Sequence, residues 1–145
     1  MESIAEYLSR DHAFCDALFA EAESAAARSD WAQAIAACAA FRRAMRRHFA
    51  MEETVLFPAF EAATHATAGP TQVMRSEHAQ MHALFDAMET ALRNHEGGAY
   101  LGHAETLLWL MRQHNLKEET VLYPMSDRVL AHQRATLLAR MAECE

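Results

Sequence analysis

Two stretches of this 145-residue chain repeat at an offset of 66. Asp11-His12-Ala13-Phe14-Cys15-Asp16-Ala17-Leu18-Phe19 aligns with Glu77-His78-Ala79-Gln80-Met81-His82-Ala83-Leu84-Phe85. Arg47-His48-Phe49-Ala50-Met51-Glu52-Glu53-Thr54-Val55-Leu56-Phe57-Pro58 aligns with Gln113-His114-Asn115-Leu116-Lys117-Glu118-Glu119-Thr120-Val121-Leu122-Tyr123-Pro124. A chain made of two such copies folds each copy alike and relates them by a pseudo-two-fold axis. Apolar residues recur at helical spacing, as in Ile4, Leu8, Cys15, Phe19 and Ala22, so the repeated unit is a helical hairpin. Two hairpins with short loops predict an all-α, up-down-up-down four-helix bundle with an internal repeat, spanning residues 1–145 as a single domain.

The helix boundaries follow from local signals. The first stripe gives out near Arg28-Ser29-Asp30, and Asp30 with Gln33 resembles a capping box opening a second helix through Trp31, Ala37, Phe41, Met45 and Leu56. Pro58 lacks the N–H that a helix needs, so a kink is expected there, with helix resuming as far as His65. Gly69-Pro70 separates the halves. The third helix is expected from about Thr71 through Met74, Met81, Phe85 and Leu92, ended by Gly97-Gly98. The fourth runs through Leu107, Met111 and Val121 to Pro124, followed by a helical tail. Only four glycines and three prolines interrupt a sequence rich in Ala, Leu, Met, Glu and Arg, residues that lose little rotamer freedom in a helix.

Three pairs spaced i,i+4 carry chemistry: His48/Glu52, His78/His82 and His114/Glu118. Residues four apart project from one helix face, so each pair presents two donors to one centre. With His12 they make seven groups interleaved with the apolar stripe. Their heights agree: His12 and His48 each lie 18 residues from Asp30, and His78 and His114 each lie 18 from Glu96. In antiparallel hairpins equal distances from the turn mean equal depth, here ~27 Å. Buried imidazoles and carboxylates without partners are costly, and a metal relieves that cost. One ion takes about six such donors, so seven argue for two ions, with Glu52 and Glu118 as the bridges. A donor set without thiolate suits Fe, Mn, Zn or Ni alike. His65, His95, His103 and His132 fall outside the repeated pairs and read as ordinary surface, while Glu53 and Glu119 point away from the bridging pair and suit a solvated or outer role.

Charge and cysteines narrow the function classes. The net charge is −7, and the basic residues cluster no further than the pairs Arg42-Arg43 and Arg46-Arg47, so no nucleic-acid partner is expected. No stretch reaches the ~18 apolar residues of a membrane span, and the N-terminus lacks the marks of a signal peptide, so the expected location is cytoplasmic with no membrane partner. Cys15, Cys38 and Cys144 are odd in number and widely spaced, which suits reduced thiols.

On His12, His48-x3-Glu52, His78-x3-His82, His114-x3-Glu118 and the two Glu-Glu-Thr-Val-Leu-(Phe/Tyr)-Pro tails, the sequence resembles the hemerythrin/HHE cation-binding family over nearly its whole length. The resemblance implies a di-iron centre, bridged by the two carboxylates and an oxo or hydroxo group, although other divalent metals suit the donors. It assigns His78, His82 and His114 to one iron. The other takes His12 and His48 and keeps an open position for O2. In hemerythrins proper the last motif is a His followed at longer spacing by Asp, whereas His114-x3-Glu118 is similar to the HHE branch.

The repeat adds one expectation: the counterpart of His82 is Asp16, one turn beyond His12, where it would approach the open position as an outer group. Two functions compete. One is a module that binds O2, or a related molecule such as peroxide or NO, for storage, sensing or transfer. The other is an enzyme or repair factor of the HHE branch, turning over peroxide or NO or mending iron–sulfur centres.

Overall fold

The structure is a computed structural model that describes residues 1–145. Helix α1 spans Ile4–Ala27 and α2 spans Trp31–Met51, which passes through a π-helical turn, Glu52–Leu56, into α3, Phe57–Thr64. The second half repeats the plan: α4 is Pro70–Arg93, α5 is Gly97–Lys117, and a π-helical turn, Glu118–Leu122, leads into α6, Tyr123–Val129. A 3-10 turn, Ala131–Gln133, precedes α7, Arg134–Ala142. Helices α1 and α2 pack as one hairpin and α4 and α5 as the other, while α1 against α5 and α2 against α4 close the bundle. The fold is the all-α bundle that the repeat predicts.

Both hairpin turns use one device. Ser29 and His95, 66 residues apart, take the left-handed conformation (φ 56° and 55°). One residue later, Asp30 N–H donates to Ala25 C=O (3.0 Å) and Glu96 N–H to Ala91 C=O (2.8 Å), closing each helix in a Schellman-type turn. The third helix thus stops at Arg93, and Gly97-Gly98, expected to end it, instead lies in the first turn of α5. Gly97 is there for room: a Cβ would come within 3.1 Å of Trp31 Cη2. The expected capping box at α2 is half formed. Asp30 accepts from Gln33 N–H at 3.3 Å, but the Gln33 amide turns to Glu21. At α1 the box is complete, between Ser3 and Glu6. There the Asp127 carboxylate also accepts from Ile4 N–H (2.8 Å) and Ala5 N–H (3.0 Å), tying the C-terminal segment to the start of the chain.

At Pro58, where a kink is expected, and again at Pro124, the long helix widens for one turn just before the proline. The N–H of Phe57 reaches the carbonyl of Glu52, and that of Tyr123 reaches Glu118, five residues back. Pro58 and Pro124, which would break an α-helix interior, then sit in the first turn of α3 and α6, where the missing N–H costs nothing. Val121, expected on the inner stripe, faces outward.

The apolar interior is split in two. One cluster, built on Phe19, Phe41, Phe85, Tyr100 and Leu107, fills the end near the hairpin turns. A second, with Leu8, Leu56, Phe60, Leu122 and Met141, fills the end under α7. Between them lies a layer of buried polar groups.

Candidate metal centre

Six of the seven expected donors meet in that layer. His12, His48, Glu52, His78, His114 and Glu118 are all buried, each at most 6% exposed. They form two groups that share both glutamates. His12, His48, Glu52 and Glu118 make one, Glu52, His78, His114 and Glu118 the other, and in each the donor atoms lie within 4.8 Å of one another. The His12 and His48 rings are 4.6 Å apart and those of His78 and His114 4.9 Å apart, so the four histidines share one depth as their distances from the turns require.

The orientation of each ring is fixed from behind. His12 Nδ1 donates to Glu119 (2.6 Å), His78 Nδ1 to Glu53 (2.6 Å), His48 Nδ1 to Asp11 (2.7 Å) and His114 Nδ1 to Glu77 (2.8 Å). A carboxylate only accepts, so every Nδ1 carries the proton. The Nε2 atoms are left to face inward. The pattern obeys the repeat. His48 and His114 are held by the partner helix of their own hairpin, while His12 and His78 are held by glutamates of the opposite hairpin. Glu53 and Glu119 thus have the outer role that their angular position suggests, whereas Asp11 and Glu77 were visible in the repeat only as the residues before His12 and His78.

Inside the layer the donors are poorly satisfied. Glu52 Oε1, Glu118 Oε2, His78 Nε2 and His114 Nε2 are buried without a hydrogen bond. His78 Nε2 comes within 3.1 Å of Glu52 Oε1, and His114 Nε2 within 3.3 Å of Glu118 Oε1, close enough to attract but not aligned to bond. Glu52 turns Oε1 to His78 and Oε2 to His48 (3.6 Å), one oxygen toward each group. Burial alone would lower the His48 imidazole, yet Glu52 and Asp11 carry it up to about 10. His78, likewise opposed by burial, rises to about 9 beside Glu52 and Glu53. Burial would raise the Glu52 carboxyl, but His48 first, with Glu118 and His78 close by, holds it well below its ordinary value. Without an ion, protons do the work of neutralising this layer. A divalent or trivalent cation fits the same donors better, because it satisfies several lone pairs at once.

Two expected residues stand outside the groups. His82 is half-buried and packs edge-on against Phe49 (5.3 Å) and Phe85 (5.6 Å), while Phe49 lies flat on His78 at 3.8 Å. The i,i+4 spacing puts His78 and His82 on one face, but His82 is a turn further along, level with the aromatic packing of the turn-side core. Burial lowers its imidazole below the ordinary value. Asp16, its counterpart, is exposed, in a groove with Arg112, Glu119 and Phe19. It falls outside both four-donor groups, while burial acts to raise its carboxyl and His12, one turn back, to lower it. His65, His95 and His132 are exposed and His103 half-buried, as expected of surface residues.

One residue of the site was missed. The hydroxyl of Tyr123 donates to Glu52 Oε2 (2.6 Å), and lies 3.0 Å from Glu118 Oε1, 3.2 Å from His12 Nε2 and 3.4 Å from His48 Nε2. It occupies the side of the centre where the family resemblance places an open position. An α-helix would put residue 123 ~140° around from Glu118, whereas the five-residue π turn brings it back over the glutamate. Burial, with Glu118 and Glu52 close by, pushes its phenol well above the ordinary value.

Residues 3–126 match a family model described as the hemerythrin HHE cation binding domain. No curated protein and no solved structure matches the chain.

Proposed function

The chain belongs to the hemerythrin family of HHE cation-binding domains, and on that premise we propose that it holds two iron ions between His12, His48, Glu52, His78, His114 and Glu118 and binds O2 or a related small molecule there. The observation that carries this reading is the pair of buried four-donor groups sharing Glu52 and Glu118, with four of their atoms lacking any partner. Bound iron would supply reversible electron exchange and a coordination position for the small molecule. The side chains do the rest. Asp11, Glu53, Glu77 and Glu119 hold the Nδ1 protons and keep each Nε2 lone pair aimed inward, which raises its basicity as a ligand. Glu52 spans the two groups, and buried Phe49 and Phe57 keep water from the His78 ring. The net charge of −7 speaks against nucleic acid as a partner, no helix is long and apolar enough to cross a membrane, and three free thiols suit a reducing compartment such as the cytoplasm.

Metal analysis of protein reconstituted with ferrous iron, followed by O2 titration under visible spectroscopy, tests the reading. Two irons per chain and a spectrum that reverts when O2 is withdrawn support binding. Two irons with rapid irreversible oxidation and loss of added peroxide move the chain to the enzyme class. A content that stays below one metal per chain sinks the dinuclear centre.

A further inference from the structure

The two halves of the centre are not chemically equal, because the repeat partner of Tyr123 is Phe57. Phe57 lies near His78, with ring centroids 5.8 Å apart, and has no lone pair to offer a metal ion. Tyr123 has a hydroxyl in contact with one donor atom of each of His12, His48, Glu52 and Glu118, at 2.6–3.4 Å. With Nδ1 of His12 turned to Glu119 and Nδ1 of His48 turned to Asp11, the atom that each histidine brings to the hydroxyl is Nε2. A single phenol proton satisfies one of them, Glu52 Oε2. The other three crowd the same oxygen without a share in that proton, and a cation among them would take all five atoms as donors. The distances have the right size for that. An ion with six donors at ~2.1 Å keeps adjacent donors ~3.0 Å apart, and each vertex has four such neighbours.

Resting on the dinuclear reading above, the geometry points to Tyr123 as a fifth protein donor at the His12/His48 position, leaving the His78/His114 position as the one that accepts an exogenous small molecule. On binding, the phenol O–H breaks, its proton passes to water, and the oxygen lone pair forms the bond to the ion. The cation reverses the preference of the buried phenol for its neutral form. This inverts the asymmetry that a third histidine at the second position would create. With His82 outside the group, the His12/His48 side has five protein donors and the His78/His114 side four.

The test is spectroscopic. Ferric protein with two irons per chain is examined for a phenolate-to-iron charge-transfer band, and resonance Raman within that band is repeated on protein grown with ring-deuterated tyrosine. The expected result is a band whose ring modes shift on deuteration, which Tyr123→Phe abolishes while retaining two irons. Phenylalanine already stands at the equivalent site, so this variant asks nothing new of the packing. The exchanged variant, Tyr123→Phe with Phe57→Tyr, should restore a band. Azide should then bind the wild type with its own band while the phenolate modes persist. Two irons per chain without any phenolate band would overturn the assignment of Tyr123 and leave the dinuclear reading standing. Azide that eliminates the phenolate band would overturn the placing of the vacancy. Failure to hold two metals would overturn both readings.

Discussion

The imidazole of His12 in α1 donates through Nδ1 to Glu119, 107 residues away in the π turn after α5, at 2.6 Å. His78 does the same toward Glu53 in the opposite sense. Each hairpin therefore aims a histidine of the other. Replacing Glu119 or Glu53 by Ala removes the hydrogen bond that fixes ring direction and tautomer, and metal affinity should fall ~10–100-fold. Competition with a chromophoric chelator measures this. Unchanged affinity in both variants would show that packing alone orients the rings.

The metal-free protein should have a defined pH window. His48 and His78 are raised from 6.5 to about 10 and about 9, so their contribution is complete below pH 6.5 and is lost as pH climbs through those values. Glu52 is depressed, so its contribution is present above 4.5 and is lost as pH falls through its lowered value. Buried Cys15, pushed up to about 12 by burial and by Asp11, adds to the alkaline loss above 9. Thermal melts of the chelated protein should therefore be highest near pH 4.5–6.5 and decline from pH 7 to 10. A melting temperature that rises over that alkaline range would contradict the assignment. Metal binding should release protons and tighten as pH increases, since the ion displaces them from Nε2.

Asp127 accepts from the first two free N–H groups of α1 and also pairs with Arg134. Asp127→Ala leaves those donors to water and should cost about 1–2 kcal/mol, lowering the melting temperature by roughly 2–8 °C for a chain of this size. Metal content should not change, because Asp127 lies outside both donor groups.

His82→Ala and Asp16→Ala should each retain two metals per chain, whereas His78→Ala should not. Inductively coupled plasma analysis of the three variants separates the donors that the fold gathers from those that spacing alone suggested. Loss of metal in His82→Ala would return that residue to the ligand set.

Much of this was legible because the repeat states it twice. The bundle, the common depth of His12, His48, His78 and His114 and the paired glutamates all follow from spacing on regular helices. What escaped lies where the helix is not regular or where spacing under-determines contact. Tyr123 was hidden by the π turn, since counting at 3.6 residues per turn places it on the wrong face. The role of Gly97-Gly98 was misread because Ser29 and His95 adopt a left-handed turn usually given to glycine. His82 and Asp16 lie one turn beyond His78 and His12 on their helices, and neither falls within the two four-donor groups.

The polar layer also acts as a seam in the energetics of folding. The clusters on either side are separate bodies of apolar packing, so cooperativity between them passes through charged and hydrogen-bonded groups and the continuous helices alone. An ion bridging the layer would weld that seam. Stripped of metal, the smaller cluster under α7 should open at lower cost than the turn end, and amide hydrogen exchange should then report two protection classes where the loaded protein would show one.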